Sequence, residues 1–242
     1  MDITELREKA SALRVEKQSL LNDTFFWAQL AKEAVGQLPD TKFKFEVPKA
    51  GSSGKMRTVS RNHPDKLKER ILKKDIYNSA FVSMVAAVED YLSKIMTWIL
   101  LTDHQRIKCT ISGINFSKDV AITDLIDKDM NEIIADITEQ RVASLFYARP
   151  EKQLEYFDKA LGLKVDEEIW GKWIEIKARR DLWIHNSGIV NQVYLSKTGD
   201  YHLCEAGDEA IITEQYFNDC VAILKTMIGR MDRDIRQQYP EP

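Results

Sequence analysis

Apolar positions recur at helical spacing through most of the chain. In residues 2–36, Ile3, Leu6, Ala10 and Leu13 fall on one face, and Leu20, Phe25, Trp27, Leu30 and Ala34 continue an apolar side. Gly36 and Pro39 end that helix. Residues 38–62 break the period: KFKFEV alternates as a short strand does, and AGSSGK reads as a flexible loop. His63-Pro64-Asp65 opens a second long helix, which runs to about Leu101 with a break near Tyr77-Asn78. Its stripe is Phe81, Met84, Val85, Val88, Leu92, Ile95, Met96 and Ile99. Residues 103–122 read as irregular, with room for a short strand. Helices follow over about 124–146 and from Pro150 to a stop at Gly162. Asp166 caps the next helix, along which lie Ile169, Trp173 and Ile176, and Gly188 ends it. Residues 201–212 form a hairpin or an irregular excursion around Gly207. Thr213 caps the last helix, with Phe217, Val221, Leu224, Met227, Ile228 and Met231 inward. The pattern predicts an all-α protein of roughly six main helices, an up-down bundle with one or two small β excursions. We divide it into an N-terminal helix with a basic irregular segment, 1–70, and a helical bundle, 71–242.

Composition narrows the class. The chain has 242 residues, 44% hydrophobic and 30% charged, which suits an ordinary globular core. Ten glycines and six prolines are few breakers for this length and favour helices. Cys109, Cys204 and Cys220 are odd in number and far apart, which argues against a disulfide framework or a zinc site and fits a reducing cytoplasm. The N-terminus is charged from its second residue, so no signal peptide is expected. The longest apolar run, near MTWILL, is too short to span a membrane.

The net charge of −3 does not announce a nucleic-acid binder, but its distribution is uneven. Residues 42–74 hold eleven Lys or Arg against Glu46, Asp65 and Glu69, a local net of +8, so the remainder carries −11. This segment reads either as a solvated face or as a contact for RNA phosphates, through Lys55, Arg57 and Arg61, or for an acidic partner. AGSSGK lacks the full glycine pattern of a nucleotide loop. No metal or cofactor is expected.

The candidate chemistry lies in KARRDLWIHNSGIVNQVYL, residues 177–195. A histidine exchanges protons near neutral pH, and an arginine grips a phosphate with two parallel donors. Together they suit phosphodiester cleavage without a metal. His185 would assist proton transfer at a ribose 2′-OH or at the leaving oxygen, and Arg180 would stabilise charge on the pentacoordinate phosphate. Asp181 and His185 are one turn apart, so the carboxylate can orient the imidazole. Arg180 and His185, five positions apart, sit about 140° from each other around a straight helix. An Arg-Asp-His trio at a helix end is also a sound polar cap, since a charged His suits a helix C-terminus. Asn186 either contacts the phosphate or caps the helix, and the cap is favoured. Trp183 is a core or interface residue, or a base-stacking platform beside His185. Glu89 and Asp90, in mid-helix, face solvent, unless one of them reaches a polar site.

The string Arg180-Asp181-x-x-x-His185-Asn186-x-Gly188-Ile189-Val190-Asn191-x-x-Tyr194 resembles the signature of HEPN-domain proteins. FVSMVAAVEDYLSKI is similar to the first core helix of that family, and LFYARPEKQLEYFDKALGL to its connector between central helices. The likeness covers about residues 76–235 and leaves 1–70 outside. It implies a four-helix up-down bundle that pairs as a homodimer, with Arg and His lining a cleft between protomers. It also implies a metal-independent ribonuclease of a bacterial toxin-antitoxin or anti-phage system. Arg180 and His185 would be catalytic, Asp181 an accessory, and Glu89 would hold Arg180 in place. Some members are non-catalytic, so the alternative implication is an interaction or antitoxin-like protein that binds a partner or RNA.

Overall fold

Four long helices alternate in direction in the computed structural model, which describes residues 1–39, 44–51, 53–60, 64–116 and 126–240. They are α1 (Ile3–Gln37), α3 (Ile76–Thr102), α6 (Glu167–His185) and α8 (Glu214–Gln238). Directions follow from side-chain pairs. Lys9, Lys17 and Lys32 of α1 reach Trp98, Asp90 and Tyr77 of α3, so the two run antiparallel. Arg14 pairs with Asp232 and Lys32 with Glu214, so α1 is antiparallel to α8 as well. Tyr77 meets Phe217 and Tyr91 donates to the Ile228 carbonyl, so α3 and α8 run parallel. Asp166 meets Arg230 while Glu175 meets Tyr216, so α6 runs against α8. The up-down helical bundle expected from the pattern is what forms.

The central helix is α3. It buries fourteen of its residues, from Ile76 to Leu100, along one broad face, and leaves Ser79, Ser83 and Ala86 exposed. So broad an apolar face needs several partners, and α1, α6, α8 and the helix over Met130–Tyr147 supply them. Against it α1 lays Leu6, Ala10, Leu13, Leu21 and Ala28, all in the same core. Lys17 falls in this stripe too, and its buried ammonium binds the Asp90 carboxylate at 2.8 Å. The apolar side expected beyond Leu20 is corrected. Leu21, Phe25 and Ala28 continue the inward register, whereas Trp27 and Leu30 are 50% and 62% exposed. The period set by Leu6, Ala10 and Leu13 decides which apolar flank meets α3.

Shorter elements fill the sides. The antiparallel pair β1 (Lys44–Pro48) and β2 (Met56–Ser60) forms a hairpin with Phe45 opposite Val59 and Val47 opposite Arg57. Then α2 (Pro64–Arg70) joins α3 through a π-helical turn, Ile71–Asp75. The break expected near Tyr77-Asn78 thus lies a few residues earlier. It aims Lys74 at Glu209 and at the Trp183 ring, 4.7 Å away. His104–Lys108 is a 3-10 turn, and no strand forms among the described residues that follow it. Phe116 is buried instead, under the Arg141 guanidinium at 4.3 Å.

Helix α4 (Met130–Tyr147) starts at Asp129, which exchanges capping hydrogen bonds with Glu132. Its expected start at 124 lies outside the described residues. Next, α5 (Pro150–Lys159) ends ahead of Gly162, whose φ of 70° only glycine adopts freely. Asp166 and Thr213 cap α6 and α8 as their side chains suggest. A further helix, α7 (Gln192–Thr198), was not expected. Residues 201–212 are irregular after a 3-10 turn. They pair with the exit of α6, where Ala210 N–H donates to the Gly188 carbonyl at 2.8 Å. No helix among the described residues is long and apolar enough to cross a membrane.

Candidate active site

The exit of α6 is built from its last turn outward. Asn186 stops the helix: its backbone N–H closes on the Leu182 carbonyl and its side-chain amide donates to Ile189 at 2.6 Å. Ser187 and Gly188 then both take positive φ, 54° and 81°. Glycine is required at 188 for a second reason. A Cβ there would lie 2.7 Å from the Trp183 ring. Trp183 in turn donates its indole N–H to the Ala210 carbonyl at 2.9 Å, and Lys74 stands over its ring. The indole is thus engaged by the protein, and the reading of Trp183 as a base platform gives way to that of an anchor. Gly188→Ala is expected to destabilise the fold by about 1–3 kcal/mol, because the added methyl must push against a ring fixed on several sides. Thermal unfolding measures it; a melting temperature equal to wild type would show that the turn repacks freely.

Arg180 leaves α6 toward α3 and is 16% exposed. Its guanidinium donates to Glu89, which is 25% exposed, and lies 3.3 Å from Asp181. Glu89 also receives Lys177 at 3.3 Å, so one carboxylate of α3 is gripped by two cations of α6. The Lys177 side chain lies over the Phe146 ring, 4.9 Å from its centre. Burial there pushes its ammonium below the usual lysine range, against the pull of Glu89. Asp90, beside Glu89, turns the other way to Lys17 and Lys94. So the mid-helix acids part company: one reaches the polar site and one braces α1.

His185 is exposed and makes no hydrogen bond with a described residue. The expected Asp181–His185 pairing is corrected. Asp181 faces Arg180 and Lys197, at 3.3 and 3.2 Å, because α7 brings Lys197 across from the far side of the turn. Arg180 and His185 do not bond to each other either, as the 140° between them requires. Ile174, Ala178 and Asp181 line a cavity of about 480 Å³ with Arg149, Lys177 and Lys197, and His185 is one turn beyond on the same face. Lys55 and Arg57 are exposed on the hairpin; Arg61 lies outside the described residues. Among the described residues no three His, Cys, Asp or Glu side chains gather as a metal site would need.

One constellation escaped the sequence reading. Glu175, 3% exposed, accepts from Arg179 at 2.8 Å, from Tyr194 at 2.7 Å and from Tyr216 at 2.6 Å. Burial, reinforced by the Glu175 carboxylate, raises both tyrosines, so they remain donors. Arg179 also reaches the Ile211 carbonyl and Cys204. This network ties α6 to α7, to α8 and to the 204–211 segment, and so fixes the frame from which Arg180 and His185 project. The signal available in the sequence was a Glu and an Arg one turn apart among Trp and Ile residues.

No family model, curated protein or solved structure matches the chain.

Proposed function

We propose that this protein is a metal-independent endoribonuclease of HEPN type, working as a cytoplasmic homodimer in a bacterial toxin-antitoxin or anti-phage system. The observation that carries the reading is the division of labour on α6. Arg180 is anchored by Glu89 and Asp181 at one edge of the helix, while His185 stands unbonded in solvent at its end. A guanidinium already oriented loses little freedom when it meets a phosphate, and an unbonded imidazole is available for proton transfer. His185 takes the 2′-OH proton as O2′ attacks phosphorus. The P–O5′ bond breaks, and the leaving oxygen takes a proton from water or from the second protomer's imidazolium. The products are a 2′,3′-cyclic phosphate and a 5′-hydroxyl. Arg180 balances the charge that builds on the equatorial oxygens. Two protomers supply both groups to one phosphate, which removes the angular separation on a single helix.

The test is cleavage of total RNA by the purified protein in EDTA, beside His185→Ala and Arg180→Ala, with end-group analysis of the fragments. Cutting by wild type alone supports the reading; equal cutting by His185→Ala overturns it. One observation favours a second reading: Arg180 is already paired with two carboxylates, as a purely structural arginine is. On that reading the chain is a non-catalytic interaction or antitoxin-like protein. It would co-purify with a partner and cut nothing.

A further inference from the structure

The β1–β2 hairpin takes no part in the site on α6. It is a two-stranded ribbon whose described residues are exposed except for the half-buried Val47 and Val59. A lone hairpin is marginal in water, so its order must be supported from elsewhere. The helices on either side of it are tied together: Lys68, on α2, donates to the Leu38 carbonyl at the end of α1, at 2.7 Å. From that base the ribbon carries Lys44, Lys49, Lys55 and Arg57 against a single acid, Glu46.

None of these four cations forms an ion pair with a described residue. Helix lysines elsewhere do: Lys9, Lys73, Lys94, Lys159 and Lys172 each reach an acid one turn away. The hairpin therefore presents uncompensated charge, whereas these five helix lysines are each neutralised within their own helix. Phe45, 59% exposed, shares a ribbon face with Arg57. The ribbon also stands at the correct end of the bundle. From Pro64 to Lys74 is about 15 Å of helix. Lys74 lies on Trp183, two residues before His185.

We propose that this hairpin is an arm that grips the phosphodiester backbone of an RNA strand whose continuation passes the α6 exit. The inference rests on the RNA-cleaving reading for the identity of the strand. Backbone contacts carry no sequence information, so the arm favours long RNA over short and is indifferent to sequence.

The experiment measures binding of full-length wild type to a fully 2′-O-methylated single-stranded RNA of about 30 nucleotides, a length that spans several site sizes. Lacking free 2′-OH groups, this probe reports binding whether or not the protein cuts. Lys49→Glu, Lys55→Glu and Arg57→Glu are combined in one variant. A control combines Lys9→Glu, Lys159→Glu and Lys172→Glu, with the same change in net charge. Loss of three phosphate contacts should weaken binding roughly tenfold or more at low salt and flatten the log–log salt slope by about 2. The control and a Lys49→Arg, Lys55→Arg variant should bind as wild type does. An unchanged slope in the hairpin variant, or equal weakening in the control, overturns the proposal. So does binding of polyglutamate as tight as that of RNA, which would mark a surface for an acidic protein. Hairpin-dependent RNA binding without any cleavage would keep the arm and reject the nuclease.

Discussion

Glu175→Ala is expected to destabilise the fold by about 3–5 kcal/mol, more than either Gly188→Ala or Arg180→Ala. The reason is what it leaves behind. Arg179 is 4% exposed at its side chain and would keep a buried charge without its carboxylate. The Tyr194 and Tyr216 hydroxyls would lose their acceptor in the same step. In a chain of this size the change corresponds to a fall in melting temperature of roughly 10 °C. Glu175→Gln keeps an acceptor oxygen and should fall between wild type and Glu175→Ala. Pairing Glu175→Leu with Arg179→Met removes both charges together and should cost less than Glu175→Ala alone, because no unpaired ion remains. Urea unfolding of the three variants measures this order. If Glu175→Ala were the mildest of them, the network would be an ornament of the packing and not its tie.

His185→Ala is expected to lower RNA cleavage by about 10²–10⁴-fold, the usual contribution of a positioned acid or base. The same change should leave the unfolding midpoint in place, since the imidazole is exposed and bonds to no described residue. Arg180→Ala should lose cleavage to a similar degree. It should also cost about 1–3 kcal/mol of stability, because Glu89 gives up its hydrogen-bonded partner and keeps only Lys177. Arg180→Lys should restore part of that stability but little of the cleavage, since an ammonium lacks the planar pair of donors a phosphate needs. The contrast separates roles. A polar cap would show matching losses of stability in both alanine variants. A catalytic pair would show matching losses of cleavage with unequal stability. Cleavage by His185→Ala at the wild-type rate would end the nuclease reading.

Much of the bundle was legible because its causes are local. Helical period placed α1, α3, α6 and α8; Asp166 and Thr213 marked the starts of α6 and α8, and Gly162 the end of α5. Seven residues of α7 were not legible. QVYLSKT holds two β-branched residues and a serine, and two turns are too short to establish a period. The π-helical turn at Ile71–Asp75 was missed by a few residues, because a widened turn leaves no composition of its own.

At the candidate site the division has the same origin. The sequence by itself determined that Arg180, Asp181 and His185 share the last turns of one helix, how far apart around it they lie, and that Asn186 and Gly188 end it. Those are properties of consecutive residues. Glu89 was already a candidate for holding Arg180, by resemblance and not by spacing; only the tertiary structure made that contact across ninety-one positions and drew Asp181 from His185 to Lys197. It also decided that Glu175 would be a buried tie and that the hairpin would rise from the motif's end of the bundle. Charges find partners by proximity in space, and the packing of α3, α7 and α8 around α6 sets that proximity. No spacing along the chain encodes it.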